Sequence, residues 1–335
     1  VAEHASRARI APGTRGAGIL CRALHRPGPL GRGLLTALTR ALALATRLSR
    51  TRRPALEECA DKLRVLRDFE DPASALGPLS EEVSLRGLVE AAYRRIPDDA
   101  VWVTEGLACL LADRLRSGDG SCDSVAVRRL LADLPPAARV PAHAGVGLSI
   151  SWGRLVELRW ARDPVAVRRG LERFVREAEA SALEGSVETV LDSLGFAARL
   201  LFPGQVPRIA PELEAADERL PYFFWHGLGR ALYFTPASFV PRTDSAWRAV
   251  CRARSEPPCP AARDHALEGL AWPLLMVHVR APEVVARLLE RHGELAESVP
   301  FRRGMEAAIG VWKRSTARPR DVAELSERLR REGLP

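Results

Sequence analysis

From residue 55 to the end of the chain, apolar residues recur every three or four positions and charged residues fill the spaces between them. That period is the signature of amphipathic helices. It predicts helices over 55–69, from Ser80 to the mid-nineties, over 102–115, 124–134, 140–160, 165–182, 183–202, 217–234, 244–253, 262–279, 282–292, 301–314 and 320–331. Helix 55–69 is expected to carry ion pairs on its outer face. Asp163-Pro164 reads as a cap followed by proline at the first helical position. Pro135-Pro136 reads as a stop, Pro203-Gly204 as another, and 207–211 as a linker. Alternation with period two, the mark of a strand, is absent, so the fold class is all-α.

The helices divide into two kinds. Those at 124–134, 165–182 and 282–292 carry many charges and suit an outer layer. Others are apolar nearly all round, as a buried helix should be, and each holds a glycine: Gly106, Gly145, Gly195, Gly227, Gly269 and Gly304. A glycine inside a helix costs about 1 kcal/mol relative to alanine. Six such costs point to a crowded centre where helices approach closely, or to space left for an apolar ligand. The gaps between them are irregular, which suits an irregular helical-repeat bundle of paired inner and outer helices better than a strict solenoid. Gly229→Leu is expected to overpack that centre.

Charge divides the chain differently. Residues 1–53 hold eleven arginines against one acid, a net +10, so the overall +8 leaves −2 for the other 282 residues. The sequence therefore falls into a basic arm at 1–53, partly disordered, and a single all-α domain at 54–335. A near-neutral body without a recognition motif argues against nucleic acid as partner. Within the arm, 29–50 reads as a basic amphipathic helix. It suits a surface helix, a targeting segment or a peripheral contact with an anionic membrane. No run of about 18 apolar residues marks a membrane span. The six cysteines lack metal-ligand spacing. Cys251 and Cys259 flank a loop and read either as free thiols in a reducing cytoplasm or as a disulfide.

The candidate chemistry sits next to the glycines. His226 and Arg230 are four residues apart on one helix face. Glu105, His143, His226 and Glu268 stand one or two residues before the glycines of their segments. If equivalent positions converge, they meet at one end of the inner helices, where His and Glu can ligate a metal or exchange protons. The plainer reading makes each a local cap or salt bridge. Asp192 lies inside an apolar helix and must either face a polar edge or have a partner, an arginine such as Arg199 on its own helix. Walker, G-x-S-x-G, H-E-x-x-H, EF-hand and D-D-x-x-D patterns are all absent.

Five segments, in order, resemble those of domain-of-unknown-function family 1702, found in bacterial enediyne biosynthetic clusters. They are Glu105-Gly106-Leu107-Ala108-Cys109-Leu110, His143-Ala144-Gly145-Val146-Gly147-Leu148, Asp192-Ser193-Leu194-Gly195-Phe196, Gly227-Leu228-Gly229-Arg230-Ala231-Leu232-Tyr233-Phe234 and Glu268-Gly269-Leu270-Ala271. The resemblance spans about 100–312. It departs at Phe196-Ala197, where the family pattern has Phe-His. It implies a biosynthetic accessory protein that binds or processes a hydrophobic, polyene or isoprenoid-like intermediate. On that reading His143, Asp192, His226 and Arg230 are the catalytic candidates. Glu105, Gly145, Gly195, Gly227, Gly229 and Glu268 are the ligand-binding ones. The alternative is a helical scaffold for protein partners. A cavity lined by Glu105, His143, Asp192 and His226 favours the first reading, and a solid core favours the second.

Overall fold

The side chains of Ser84, Asp123 and Asp163 each accept an amide hydrogen bond from the first turn of the helix that follows. The computed structural model describes residues 53–76, 84–117, 121–235, 244–280 and 282–315, with isolated positions 327 and 330. The chain runs through α1 (Arg53–Glu70), α2 (Pro72–Leu76), α3 (Leu85–Arg95), α4 (Ala100–Arg114), α5 (Ser124–Ala132), α6 (Pro136–Leu158), α7 (Pro164–Ser181) and α8 (Val187–Leu201). It continues through two single-turn helices, α9 (Val206–Ile209) and α10 (Leu213–Ala216), then α11 (Leu220–Leu232), α12 (Ser245–Ser255), α13 (Pro260–Arg280), α14 (Pro282–Arg291) and α15 (Val299–Ser315). Among the described residues the fold is all-α, without a named strand. The arm at 1–52, with its 29–50 helix, and the 320–331 helix lie outside the described residues or are described only at single positions.

Several sequence expectations meet their physical reason. The Asp163 side chain accepts from the Val165 amide, and Pro164 opens α7 as foreseen. The helix expected from Ser80 starts instead at Leu85, where Ser84 caps α3 through the Gly87 amide. Four further expectations need correction. The 124–134 helix does stop before Pro135, but the helix expected over 140–160 starts earlier, at Pro136, because proline suits a first turn that lacks hydrogen-bond partners. The 207–211 linker is a series of short helical turns. The 183–202 helix begins only at Val187, after a loop in which Gly185 takes φ 73°, a left-handed value that favours glycine. Finally, Glu58 and Lys62 of α1 are not on an outer face. Both are buried, 2.9 Å apart, and Lys62 also donates to Ser245 at 3.1 Å. Its Nζ lies 3.7 Å from the Tyr233 ring centre, and the Tyr233 hydroxyl donates to Glu58 at 2.5 Å. This network fastens α1 to α12 and to the end of α11.

The two kinds of helix form two layers. The inner helices α4, α6, α8, α11, α13 and α15 pack in succession, each against the next. The charged helices α5, α7 and α14 bury one stripe and leave the other in water. Gly227 shows what the inner glycines do. A β-carbon there would stand 1.8 Å from the Asp192 carbonyl oxygen, so α8 and α11 touch backbone to backbone. The same seat recurs along the layer. The Phe69 carbonyl meets Gly106, that of Glu105 meets Gly145, that of His226 meets Gly269 and that of Glu268 meets Gly304, each at 1.9–2.0 Å from the β-carbon position. Gly195 faces the Phe224 carbonyl and Gly229 that of Ala266 in the same manner.

Two prolines sit inside inner helices, Pro141 in α6 and Pro273 in α13. Pro141 has no amide hydrogen to give the carbonyl four residues back. That carbonyl, on Ala137, instead accepts the Tyr93 hydroxyl at 3.0 Å, and the same hydroxyl approaches the Ser315 carbonyl at 2.8 Å. The proline's orphaned acceptor thus becomes a tie between α3, α6 and the end of α15.

Candidate functional site: a cavity with one polar wall

The inner helices do not close into a solid core. Residues of α1, α4, α6, α8, α11, α13 and α15 line a half-open cavity of about 700 Å³. Its surface is chiefly apolar and aromatic, with Trp102, Trp152, Phe196, Phe234, Trp272 and Trp312 contributing rings. Leu110, 45% exposed, marks where the cavity meets the surface. A volume of this size takes a whole small molecule, and a few polar groups on apolar walls are the usual makeup of a ligand site.

Those polar groups gather around Asp192 on α8. The close seat of Gly227 against the Asp192 carbonyl brings α11 near enough for two of its side chains to grip the Asp192 carboxylate. His226 Nδ1 lies 2.5 Å from one oxygen, and Arg230 Nη1 pairs with the other. Arg230 is held between aromatic faces, with its guanidinium carbon 5.4 Å from the Phe196 ring centre and 5.6 Å from that of Trp272. Burial pushes the Asp192 carboxyl up, but Arg230 and His226 together outweigh it and hold the group below the usual range. Arg199, the partner available on the same helix, pairs with Glu256 instead.

Glu105 on α4 completes this wall. Burial pushes its carboxyl up to about 7, Arg230 opposes that rise, and Asp192 adds to it. Glu105 therefore takes up and releases a proton near neutrality beside a fixed ion pair. A carboxyl whose pKa is raised on folding favours the folded state at low pH and loses that contribution as pH rises. The window runs from about 4.5, the ordinary value, to about 7. Glu105→Gln should match the wild type near pH 4.5 and exceed its stability above pH 7 by up to about 3 kcal/mol. Urea unfolding across that range checks the point. Curves that stay parallel at every pH would show that Glu105 keeps an ordinary pKa.

At the α13 side, Glu268 Oε1 accepts the Tyr222 hydroxyl at 2.8 Å, and Arg303 stands 3.6 Å from Oε2. Tyr222 stacks along the His226 ring at 5.9 Å, and Trp272 meets that ring edge-on at 6.0 Å. Tyr222 and Trp272 were not among the sequence candidates. The signal was their spacing, since each stands four residues from a candidate on its own helix, His226 and Glu268.

The structure thus brings together Glu105, Asp192, His226, Arg230 and Glu268 on one cavity. His143 is not among the residues lining it, which corrects the expectation of a shared centre. Its Nδ1 lies 2.6 Å from the Arg139 carbonyl, and its Nε2 accepts the Leu183 amide at 3.0 Å. Both ring nitrogens are occupied by backbone, and burial lowers its pKa. The ring fixes the loop after α7 to α6. Gly145, Gly195, Gly227 and Gly229 likewise do not line the cavity, because the backbone of neighbouring helices fills the space beside them. They place the site without touching its contents.

Among the described residues no group of three His, Cys, Asp or Glu side chains is arranged to hold a metal ion. None of the described helices is long and apolar enough to cross a membrane. Cys251 and Cys259 are both free and exposed.

The chain matches no protein-family model, no curated protein and no solved structure.

Proposed function

We propose that this protein binds a largely apolar small molecule inside the helical body and presents to it the polar wall of Glu105, Asp192, His226 and Arg230. The observation that carries the proposal is the aromatic-lined cavity of about 700 Å³ with the buried Asp192–His226–Arg230 cluster on its surface. A scaffold built only for protein contacts has no use for such an interior, and its inner helices would gain by filling it.

The wall also has the parts for moving a proton. Asp192 engages Nδ1 of His226, which in the neutral ring leaves the lone pair on Nε2. Glu105 supplies a carboxyl poised near neutral pH. The acid and base candidates are therefore Glu105 and His226. Asp192 and Arg230 act as the fixed charges that orient them. Resemblance of the five glycine segments to family 1702 adds the pathway to this proposal, a hydrophobic intermediate of enediyne-type secondary metabolism.

Titration with N-phenyl-1-naphthylamine, an uncharged dye that brightens in apolar surroundings, tests the binding step. Saturable one-to-one binding in the micromolar range, about −8 kcal/mol, is expected. Leu148→Trp, which puts a bulky ring in place of an aliphatic side chain at a half-buried position on the cavity, should weaken that binding at least about tenfold. Unsaturable brightening, or equal affinity in the variant, would place the dye on the surface and contradict the proposal.

A further inference from the structure

Glu105 lines the cavity and is 7% exposed. Arg230 and Asp192 act on its carboxyl only through space, and among the described residues no hydrogen bond or ion pair engages it. Neither oxygen is sealed off from water, so the carboxyl opens on the cavity. A buried carboxylate without a partner is costly, and here there is room for a partner from outside the chain. The surroundings select its charge. Among the described residues lining the cavity, Glu70, Glu105, Asp113, Glu188, Asp192 and Glu268 are opposed by two arginines, Arg230 and Arg314. Arg116 and Arg303 stand 3.6 Å from Asp113 and Glu268, which still leaves carboxylates in excess. Aromatic rings suit a cation as well. Arg230 already lies between Phe196 and Trp272, and Trp102, three residues before Glu105, shares its face of α4.

We propose that the ligand of this cavity is a lipophilic amine whose ammonium group pairs with the Glu105 carboxylate while its hydrocarbon body lies among the aromatic rings. The inference deepens the proposed function and rests on the cavity being a ligand site. The ammonium gives Glu105 the hydrogen-bond donors that the protein does not supply. A carboxylate ligand meets an excess of like charge, and a neutral alcohol leaves the charge of Glu105 uncompensated. Binding is linked to protons, because a cation beside a carboxyl favours its ionised form. Burial keeps a proton on Glu105 up to about pH 7, so the amine binds best above that value and displaces a proton below it. The charged groups that act on Glu105, Asp192 on α8 and Arg230 on α11, oppose one another. Of the helices packed against α4, α1 adds Glu70 to the lining, and the described residues of α2, α3 and α6 add no charge. His226 on α11 shares the wall, and Glu105→Gln leaves it in place.

Displacement of N-phenyl-1-naphthylamine by decylamine, decan-1-ol and decanoate, which carry similar chains and differ in head-group charge, tests the pairing. At pH 8 decylamine is expected to compete about tenfold more strongly than the alcohol, the scale of one hydrogen bond to a charged group. Decanoate should compete least, although the net charge of +8 on the chain would favour it in any general attraction to the surface. The advantage of the amine over the alcohol should vanish by about pH 5.5, where Glu105 is protonated. Glu105→Gln should bring amine and alcohol level at both pH values. Calorimetry in buffers of different ionisation enthalpy is an independent check on the wild-type protein. Near pH 7 the amine should release about half a proton on binding, whereas the alcohol should release none. Equal competition by amine and alcohol at pH 8, or stronger competition by decanoate, overturns the pairing and leaves the cavity reading intact. An amine preference that persists in folded Glu105→Gln, or amine binding without proton release, overturns it as well. Failure of the dye itself to bind saturably overturns the cavity reading and the pairing with it.

Discussion

Gly227→Ala should destabilise the protein by about 3 kcal/mol or more, the upper range for overpacking a close-packed interior. The sign is informative, because alanine is the better helix former and on propensity alone would stabilise α11 by about 1 kcal/mol. Packing reverses it. The new β-carbon would lie 1.8 Å from the Asp192 carbonyl oxygen, 2.9 Å from its carbon and 3.1 Å from the Phe196 nitrogen. All three are backbone atoms, so no rotamer change relieves the contact and α8 and α11 must separate. That movement also pulls His226 and Arg230 away from Asp192, so dye binding should weaken in whatever fraction remains folded. Gly204→Ala is the control. Nothing lies within 4 Å of its β-carbon position, and its effect should stay within about 0.5 kcal/mol of zero. Chemical denaturation of the two variants side by side checks the difference. Equal stabilities would mean that the inner helices do not meet through their glycines.

The second large effect is expected at Asp192. Removing one partner of a buried ion pair leaves the other charges without compensation, at about 3–5 kcal/mol. Arg230 and His226 retain slight exposure, with side chains 17% and 11% accessible, so the lower end of that range applies to Asp192→Ala. The pH dependence has a definite sign. A carboxyl held below its ordinary pKa contributes stability above the unfolded value, near 4, and loses it as pH falls through the folded value. Asp192→Asn should therefore be least stable relative to wild type at neutral pH and approach it in acid. Combining Asp192→Asn with Arg230→Met should cost clearly less than the sum of the two single changes, since the pair is destroyed once. Strict additivity in a denaturation cycle would show that the two groups do not interact.

How legible this arrangement was in the sequence differs from part to part. The all-α class follows from periodicity, which any amphipathic helix must display. The inner helices were recognisable because Gly106, Gly145, Gly195, Gly227, Gly269 and Gly304 are tolerated only where a backbone comes close. The same logic located Glu105, His226 and Glu268, whose backbone carbonyls seat the glycine of the following helix and whose side chains line one cavity. It misplaced His143. Position before a glycine determines which segment a residue belongs to, but not whether its ring points inward. The deciding partners, the Arg139 carbonyl and the Leu183 amide, are backbone groups with no sequence signature. The partner of Asp192 was similarly hidden. Arg199 is nearer in sequence, yet Arg230 wins because Gly227 brings α11 against α8. The burial of Lys62 could not be read from its i,i+4 spacing to Glu58, since the same spacing serves exposed pairs such as Arg86 with Glu90. What buries it is Tyr233 and Ser245, more than 170 residues away.

The central claim is that the interior cavity, and not a surface patch, is where this protein meets its ligand. Photolabelling with an apolar probe that carries a diazirine on its hydrocarbon chain tests this most directly, with labelled peptides mapped by mass spectrometry. Saturable labelling is expected on cavity-lining residues around Ala144–Trp152, Asp192–Leu201 and Tyr222–Phe234, suppressed by excess N-phenyl-1-naphthylamine. Labelling confined to exposed apolar positions such as Val125, Trp160 and Val165, and insensitive to the competitor, would contradict it.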